Sequence, residues 1–360
     1  MTVRSFMRPL CAALLPTFAL MFAGCVVRPE GSLTPSSTST RRLTIYSPHP
    51  DDMTAFVVKE FRQRTGIAAT VVSAGTGELL AKLKGEAKDT RADVLWGGGA
   101  ESLDSARELF APYRSVEDAA IPRDFKDPDG LWTGFTVIPM VIVYNRALVP
   151  QDQRPRTWRD LARPFFRGRV AFADPERSGS AYTALITVLR ALSVPARGVA
   201  DGPLGTAESW AFIDELNTAI AGVTLSESEA VYGGVAAGEF FAGISFETAA
   251  LSVFRLGGDL EFVYPVEGTS AVPDGVAMIA GAPHPGEAAA FIDFVLSREV
   301  QTVVRERWSR RSVRLDVGAP EGAPPLDSLR LVSYDRKSAA RERERVLSEW
   351  RRRMALRVLP

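Results

Sequence analysis

Three times within residues 43–110 an apolar, β-prone run passes through a turn of small residues into a segment with helical spacing. "LTIYS" leads through Ser47-Pro48-His49 into "DDMTAFVVKEFRQRTG". "AATVVS" leads through Ser73-Ala74-Gly75-Thr76-Gly77 into "GELLAKLKGEAK", and "ADVLW" through Gly97-Gly98-Gly99 into "AESLDSARELF". Such alternation predicts an α/β fold, a parallel sheet with helices on its faces. In the first helix Met53, Phe56, Val57 and Phe61 share one face, Asp51 and Asp52 suit the start and Gly66 suits the stop. In open sheets of this kind ligands sit outside the carboxyl ends of the strands. Here those ends expose backbone N–H groups, hydroxyls and helix N-termini, a surface suited to an anion.

The second half of the chain repeats the device. "LWTGFTVIPMVIVYN" is a long β-rich run, read as a crossing between lobes, and "GRVAFAD" is a strand that feeds "ADPERSGSAYTAL". Ser178-Gly179-Ser180 in that stretch has three readings, one of them a catalytic site with Ser178 as nucleophile, for which the sequence shows no base. As a helix N-cap it is worth roughly 0.5–2 kcal/mol. As a cradle it would act with the turn at residues 73–77, if both face one cleft. Hydrogen bonds to a charged group contribute about 1.5–3 kcal/mol each, so three or four of them would outweigh capping. "GEFFAGISFETAAL" is a further strand-to-helix step and "LEFVYPVEGTSAVPDGVAMIAG" an extended return crossing. "HPGEAAAFIDFVLSREVQTVV" is expected to be one helix, with Ala288, Phe291, Ile292, Phe294 and Val295 inward. The tail "YDRKSAARERERVLSEWRRRMALRV" is expected to be a charged helix with Val346, Leu347, Trp350 and Met354 on one face. That helix either packs on the fold or touches anionic lipid or a permease.

The amino terminus reads as an export signal over residues 1–24: Arg4 and Arg8, then an apolar run from Leu10 to Phe22. "FAGC" resembles a lipobox, which would make Cys25 the lipidated first residue of the mature chain; ordinary signal cleavage is the alternative. Cys11 and Cys25 are the two cysteines, so loss of the signal leaves no pair for an intramolecular disulfide. Residues 25–42, rich in Ser, Thr and Pro, read as the anchor and a flexible tether. Charges balance at 43 basic and 43 acidic residues, which gives no global field for nucleic acid. The two histidines, His49 and His284, form no zinc spacing with cysteine, and neither a nucleophile elbow nor a complete phosphate loop is present. No catalytic residue, cofactor or metal is expected.

The order of "LTIYSPHPDDMTAFVVKEFRQRTGI", "VVSAGTGELLAKLKGE", "ADVLWGGGAES", "VIVYN", "ADPERSGSAYTAL", "VAAGEFFAGISFETAAL" and "RRSVRLDV" resembles bacterial ABC-transporter solute-binding proteins. It looks most like the branch containing ferric-iron, hexose-phosphate and aminoethylphosphonate binders, over nearly all of residues 43–354. The resemblance implies a two-lobed, type 2-like periplasmic-binding-protein fold, each lobe a mixed sheet flanked by helices, joined by hinge strands. The lobes would be residues 43–137 plus 272–326, and 138–271 plus 327–360 with the tail helix. It also implies a monomer that hands a small solute to a membrane permease.

Iron-binding relatives carry adjacent tyrosines where this chain has Thr248 and Ala249, and none of its seven tyrosines adjoins another. Those relatives often add a His after the first strand and a Glu after the third; here His49 is offset and Gly97-Gly98 stand in the other place. In iron binders the turn matching Ser178-Gly179-Ser180 holds a small synergistic anion. Keeping that turn without the metal ligands points to a phosphorylated sugar or a phosphonate. The expected ligand-binding residues are Ser47, His49, Ser73, Gly75, Thr76, Gly77, Gly98, Ser178, Gly179, Ser180, Ala181 and Glu247, with a further set of Tyr46, Trp96, Arg177, Tyr182, Glu227 and Tyr232. Glu247 is read either as an acceptor for sugar hydroxyls or an ammonium, or as a first-turn helix carboxylate. His49 is read as a donor to the anion or as a helix cap, Arg177 as a strengthening charge or as surface, and the aromatics as ligand walls or core. The alternatives in function are a ferric-iron binder, an enzyme or a sensor on the same scaffold.

Overall fold

The computed structural model describes residues 41–193 and 204–355. The export signal, Cys25 and most of the tether lie outside the described residues. The chain runs β1 (Arg42–Ser47), α1 (Asp51–Thr65), β2 (Ala68–Ser73), α2 (Thr76–Gly85), β3 (Val94–Gly99), α3 (Ala100–Asp104), β4 (Phe110–Ala111) and β5 (Thr133–Asn145). It continues with β6 (Val170–Ala171), α4 (Gly179–Ala191), α5 (Ala207–Ala219), α6 (Ser228–Ala237), β7 (Ala242–Phe246), α7 (Glu247–Arg255) and β8 (Leu260–Val263). It ends with β9 (Ala271–Ile279), α8 (Pro285–Leu296), α9 (Arg298–Trp308), β10 (Arg311–Ser312), α10 (Arg336–Arg341) and α11 (Arg343–Ala355).

β5 joins the two halves. Its first part, Thr133 to Pro139, pairs antiparallel with β9, and its second, Met140 to Tyr144, pairs with β7. The first lobe is therefore built on β2-β1-β3-β9-β5 and the second on β5-β7-β6. β1 pairs parallel with both β2 and β3, as the strand–helix alternation predicts, and β9 runs antiparallel to β3, which makes the sheet mixed. All six residues of β3 are buried, because helices cover both faces of the sheet. Met53, Val57 and Phe61 of α1 point inward at a spacing of four, and Gly66 ends the helix with φ of 72°. In the second lobe α4 buries ten of its thirteen residues, and an all-round apolar helix belongs in a core.

Four expectations shift. The strand β1 begins at Arg42, inside the stretch assigned to the tether. The third helix stops at Asp104, and "REL" after it makes one short 3₁₀ turn before β4. The long helix after His284 breaks at Ser297, whose extended backbone and hydroxyl cap a new helix by accepting from Val300 N–H. The tail is two helices: α11 packs on the second lobe through Val346, Leu347 and Trp350, and α10 reaches the same core through Ala339. α10 lies against α3 of the first lobe, with Arg336 reaching Asp104 and the Asp124 carbonyl.

Candidate functional site

Four helices begin at one cavity of about 290 Å³ between the lobes. The first lobe supplies the starts of α1 (Pro50, Asp51) and α2 (Gly75, Thr76), and the second supplies the starts of α4 (Ser178, Gly179) and α6 (Glu227, Ser228). Every helix start leaves backbone N–H groups without intrahelical partners and carries a partial positive charge. α4 is capped, since Ser178 Oγ accepts from Ala181 N–H at 3.3 Å. α1, α2 and α6 have no side-chain cap. Beside these starts Ser178 Oγ lies 3.2 Å from Ser180 Oγ and 2.9 Å from Ser228 Oγ, and Ser180 and Ser228 are also hydrogen-bonded. Three helix starts without side-chain caps, of which α2 gives its Gly77 N–H to the Arg177 carbonyl, and three hydroxyls form a concentration of donors that an oxyanion can use.

The two glycine–hydroxyl turns face each other across this cavity and touch at its edge. Gly77 N–H donates to the Arg177 carbonyl at 2.9 Å, and Arg177 pairs with Glu78 across the same line. A Cβ on Gly75 would stand 2.5 Å from the Arg177 carbonyl oxygen, and one on Gly77 would be closer still to that of Glu176. Both glycines are thus required by the approach of one backbone to another.

The same cavity also carries carboxylates, two of them at those helix starts. Asp51, Glu227, Glu229 and Asp274 line the cavity, against one guanidinium, Arg310. Arg310 donates to Asp274 at 3.2 Å and to Thr136 Oγ1 at 3.1 Å, so its charge is already matched. Burial raises the Glu229 carboxyl above its ordinary range, and the neighbouring Glu227, Asp51 and Asp52 push it the same way. His49 is buried, its ring edge-on to Trp96 at 4.8 Å and its Nε2 3.5 Å from Asp274. Burial and then Arg310 hold the imidazole well below its usual range, so it is neutral. Among the described residues no three His, Cys, Asp or Glu side chains gather in a metal-ligand arrangement.

Of the residues singled out by sequence, Ser47, His49, Ser73, Gly75, Thr76, Gly98, Ser178, Gly179, Ser180, Glu227 and Tyr232 line this cavity. The others do not, each for a visible reason. Gly77 and Arg177 are engaged in the contact between the turns. Ala181 N–H is taken by the Ser178 cap. Glu247 is fully buried and holds Arg311 through two hydrogen bonds of 2.5 and 2.8 Å, with the Tyr264 hydroxyl donating to it at 2.5 Å. Tyr46 donates to Glu86. Trp96 is core, behind His49. Tyr182 is core too, and its hydroxyl donates to the Ala339 carbonyl at 2.6 Å. Thr248 and Ala249 lie buried in the first turn of α7.

Ser228, Asp274 and Arg310 line the cavity without having been singled out. Asp274 carried a signal: a lone carboxylate inside an apolar strand must find a partner when buried. Ser228 is a serine at a helix start, the same signal as Ser178 in a weaker setting. Arg310 offered none, because one arginine among many in "RERWSRRSVR" is indistinguishable by pattern.

A profile of the family described as bacterial extracellular solute-binding protein matches residues 93–338. A protein of Haemophilus influenzae, described as uncharacterized, is 26% identical over 351 residues, 92% of this chain and 94% of its own. Iron uptake protein A1 of Synechocystis is 26% identical over 300 residues, 79% of each chain. Among solved structures, the periplasmic binding protein AfuA of Actinobacillus pleuropneumoniae with exogenous fructose 6-phosphate superposes with a TM-score of 0.80 at 26% identity, covering 88% of this chain and 100% of that one. The matched residues include the Ser178–Ser180 turn, β5, β9 and the start of the tail, so the chain belongs to the bacterial extracellular solute-binding proteins.

Proposed function

We propose that the protein captures a small organic anion, a phosphorylated sugar or a phosphonate, between its two lobes and presents it to an ABC permease. In this reading it works outside the cytoplasm, anchored to a membrane through lipidated Cys25, and it returns its ligand unchanged. One observation carries it: three uncapped helix starts and the Ser178–Ser180–Ser228 hydroxyls converge on a single cavity. Each helix start adds about 0.3–1 kcal/mol for an anion and each hydrogen bond to a charged group about 1.5–3 kcal/mol. The carboxylates beside these helix starts suit the rest of such a ligand, because Glu227, Glu229 and Asp51 can accept from sugar hydroxyls or an ammonium. The volume of about 290 Å³ lies at the small end of ligand sites, which favours a compact solute.

Thermal shifts across phosphate esters, phosphonates, sulfate and Fe³⁺ test the reading. A phosphate ester or phosphonate at about 100 times its dissociation constant should stabilise the protein by roughly 2.7 kcal/mol. The relative named for iron uptake sets the competing outcome. Stoichiometric, tight Fe³⁺ with a charge-transfer colour, and no response to the organic anions, would replace this ligand class with iron.

A further inference from the structure

Behind the cavity a carboxyl group joins the lobes. Glu101 of α3, in the first lobe, is fully buried, and Thr183 of α4, in the second, hydrogen-bonds to its Oε1. Thr183 itself lines the cavity, and its hydroxyl stands 3.1 Å from the carbonyl of Gly179, the first residue of α4. Thr183 has one proton and two acceptors within reach. Were Glu101 ionised, that proton would go to the carboxylate, and the other carboxylate oxygen, Oε2, would be a buried charge with no donor. With Glu101 neutral the chain closes: Glu101 O–H donates to Thr183 Oγ1, and Thr183 O–H donates to the Gly179 carbonyl.

We propose that Glu101, acting through Thr183, is a positioning residue for the anion site, engaged only when the lobes are shut and only while its carboxyl carries a proton. The proposal rests on the reading above for what the site binds, but not for the contact between lobes. The groups around the carboxyl are few. α3 brings Asp104, which is matched by Arg336 of α10; α4 brings the neutral Tyr182; the tail brings Tyr334, buried with no partner for its hydroxyl, and Arg343. Arg343 is engaged elsewhere, donating to Ser102 at 3.3 Å and stacking on the Tyr182 ring at 4.1 Å. Burial raises the Glu101 carboxyl above its ordinary range; Thr183, the backbone N–H of Glu101 itself and Arg343 oppose this, and Asp104 adds to it. With the lobes apart the carboxyl meets water and returns to the ordinary range. Shutting therefore takes up a proton at any pH between the two values. Closure is favoured at low pH and weakens as pH rises through that interval.

The test measures affinity for fructose 6-phosphate by calorimetry, and the ligand-free radius of gyration by X-ray scattering, from about pH 5 to about pH 8.5. Glu101→Gln, which keeps a neutral donor of the same shape, is compared with the wild type. The probe's own titration and that of His49 are common to both proteins and cancel in the difference. The wild type should lose affinity relative to Glu101→Gln by up to about tenfold per pH unit, the limit for one linked proton. Its ligand-free form should also expand with rising pH while that of the variant does not. Parallel profiles overturn the proposal. If fructose 6-phosphate binds neither protein at any pH, the reading of the ligand fails and the scattering profiles alone decide the latch. If Glu101→Gln does not fold, Thr183→Val must remove the same wild-type expansion, and an unchanged profile in it overturns the proposal equally.

Discussion

At the scale of single residues, the site is a set of donors whose value depends on charge sign. Ser180→Asp would place a fixed negative charge among the Ser178 and Ser228 hydroxyls. Losing one or two charge-assisted hydrogen bonds, with repulsion added, should weaken binding of a phosphate ester by at least about a hundredfold. The melting temperature should barely move, because the side chain is only half-buried at the cavity edge. Titration calorimetry with a parallel melt checks both; unchanged affinity removes this turn from the site. Glu247 teaches the opposite lesson. Its place before the helix suggested a ligand contact, yet it is closed off by Arg311 and Tyr264. Arg311→Ala should therefore leave an uncompensated buried carboxylate and cost about 3–5 kcal/mol of stability in denaturant unfolding. Sequence marks both residues as polar groups at helix starts. Only packing decides which is sealed and which faces a cavity.

At the scale of elements, periodicity located the helices well but not their ends. Residues 285–308 keep one apolar face, yet Ser297 interrupts the hydrogen-bond ladder and begins a second helix. Ser297→Ala should cost about 0.5–2 kcal/mol by the lost cap, seen as a lower urea midpoint. Fusion of α8 and α9 into one straight helix in a crystal structure of that variant would show that the serine itself imposes the break. The early end of α3 has a different cause. Arg107 is drawn to Asp127 and Asp129 in the next loop, contacts from distant sequence that no window around "SARELF" contains. The three first-lobe turns were legible because Gly and hydroxyl residues after a strand have few other uses. The start of α6, with its Glu-Ser-Glu sequence, reads equally well as an exposed cap.

At the scale of the whole molecule, the proposed capture would join two surfaces. The lobes meet through Gly77 and Arg177 at one edge and Glu101 and Thr183 behind the cavity, while β5 crosses between them and the chain returns to the first lobe at the start of β9. Gly77→Ala would force a Cβ into the Glu176 carbonyl whenever the lobes shut. It should leave each lobe folded but abolish the compaction on adding a phosphate ester, read as an unchanged radius of gyration in small-angle scattering. Full compaction in the variant would mean that the turns do not gate closure. What the sequence determined by itself was local: an α/β chain with mixed two-lobed architecture by resemblance, and turns of glycine and hydroxyl residues at the strand ends. The alternation and the turns follow from periodicity and turn chemistry, which act over a few residues, whereas the two lobes are what the resemblance implies. What only the tertiary structure decided was company. Asp274 meets Arg310, Glu101 meets Thr183, and Ser228 joins Ser178 across intervals of 36, 82 and 50 residues. Such pairings depend on how separate elements pack, and burial, which sets both the charge state and the worth of each contact, exists only once they have.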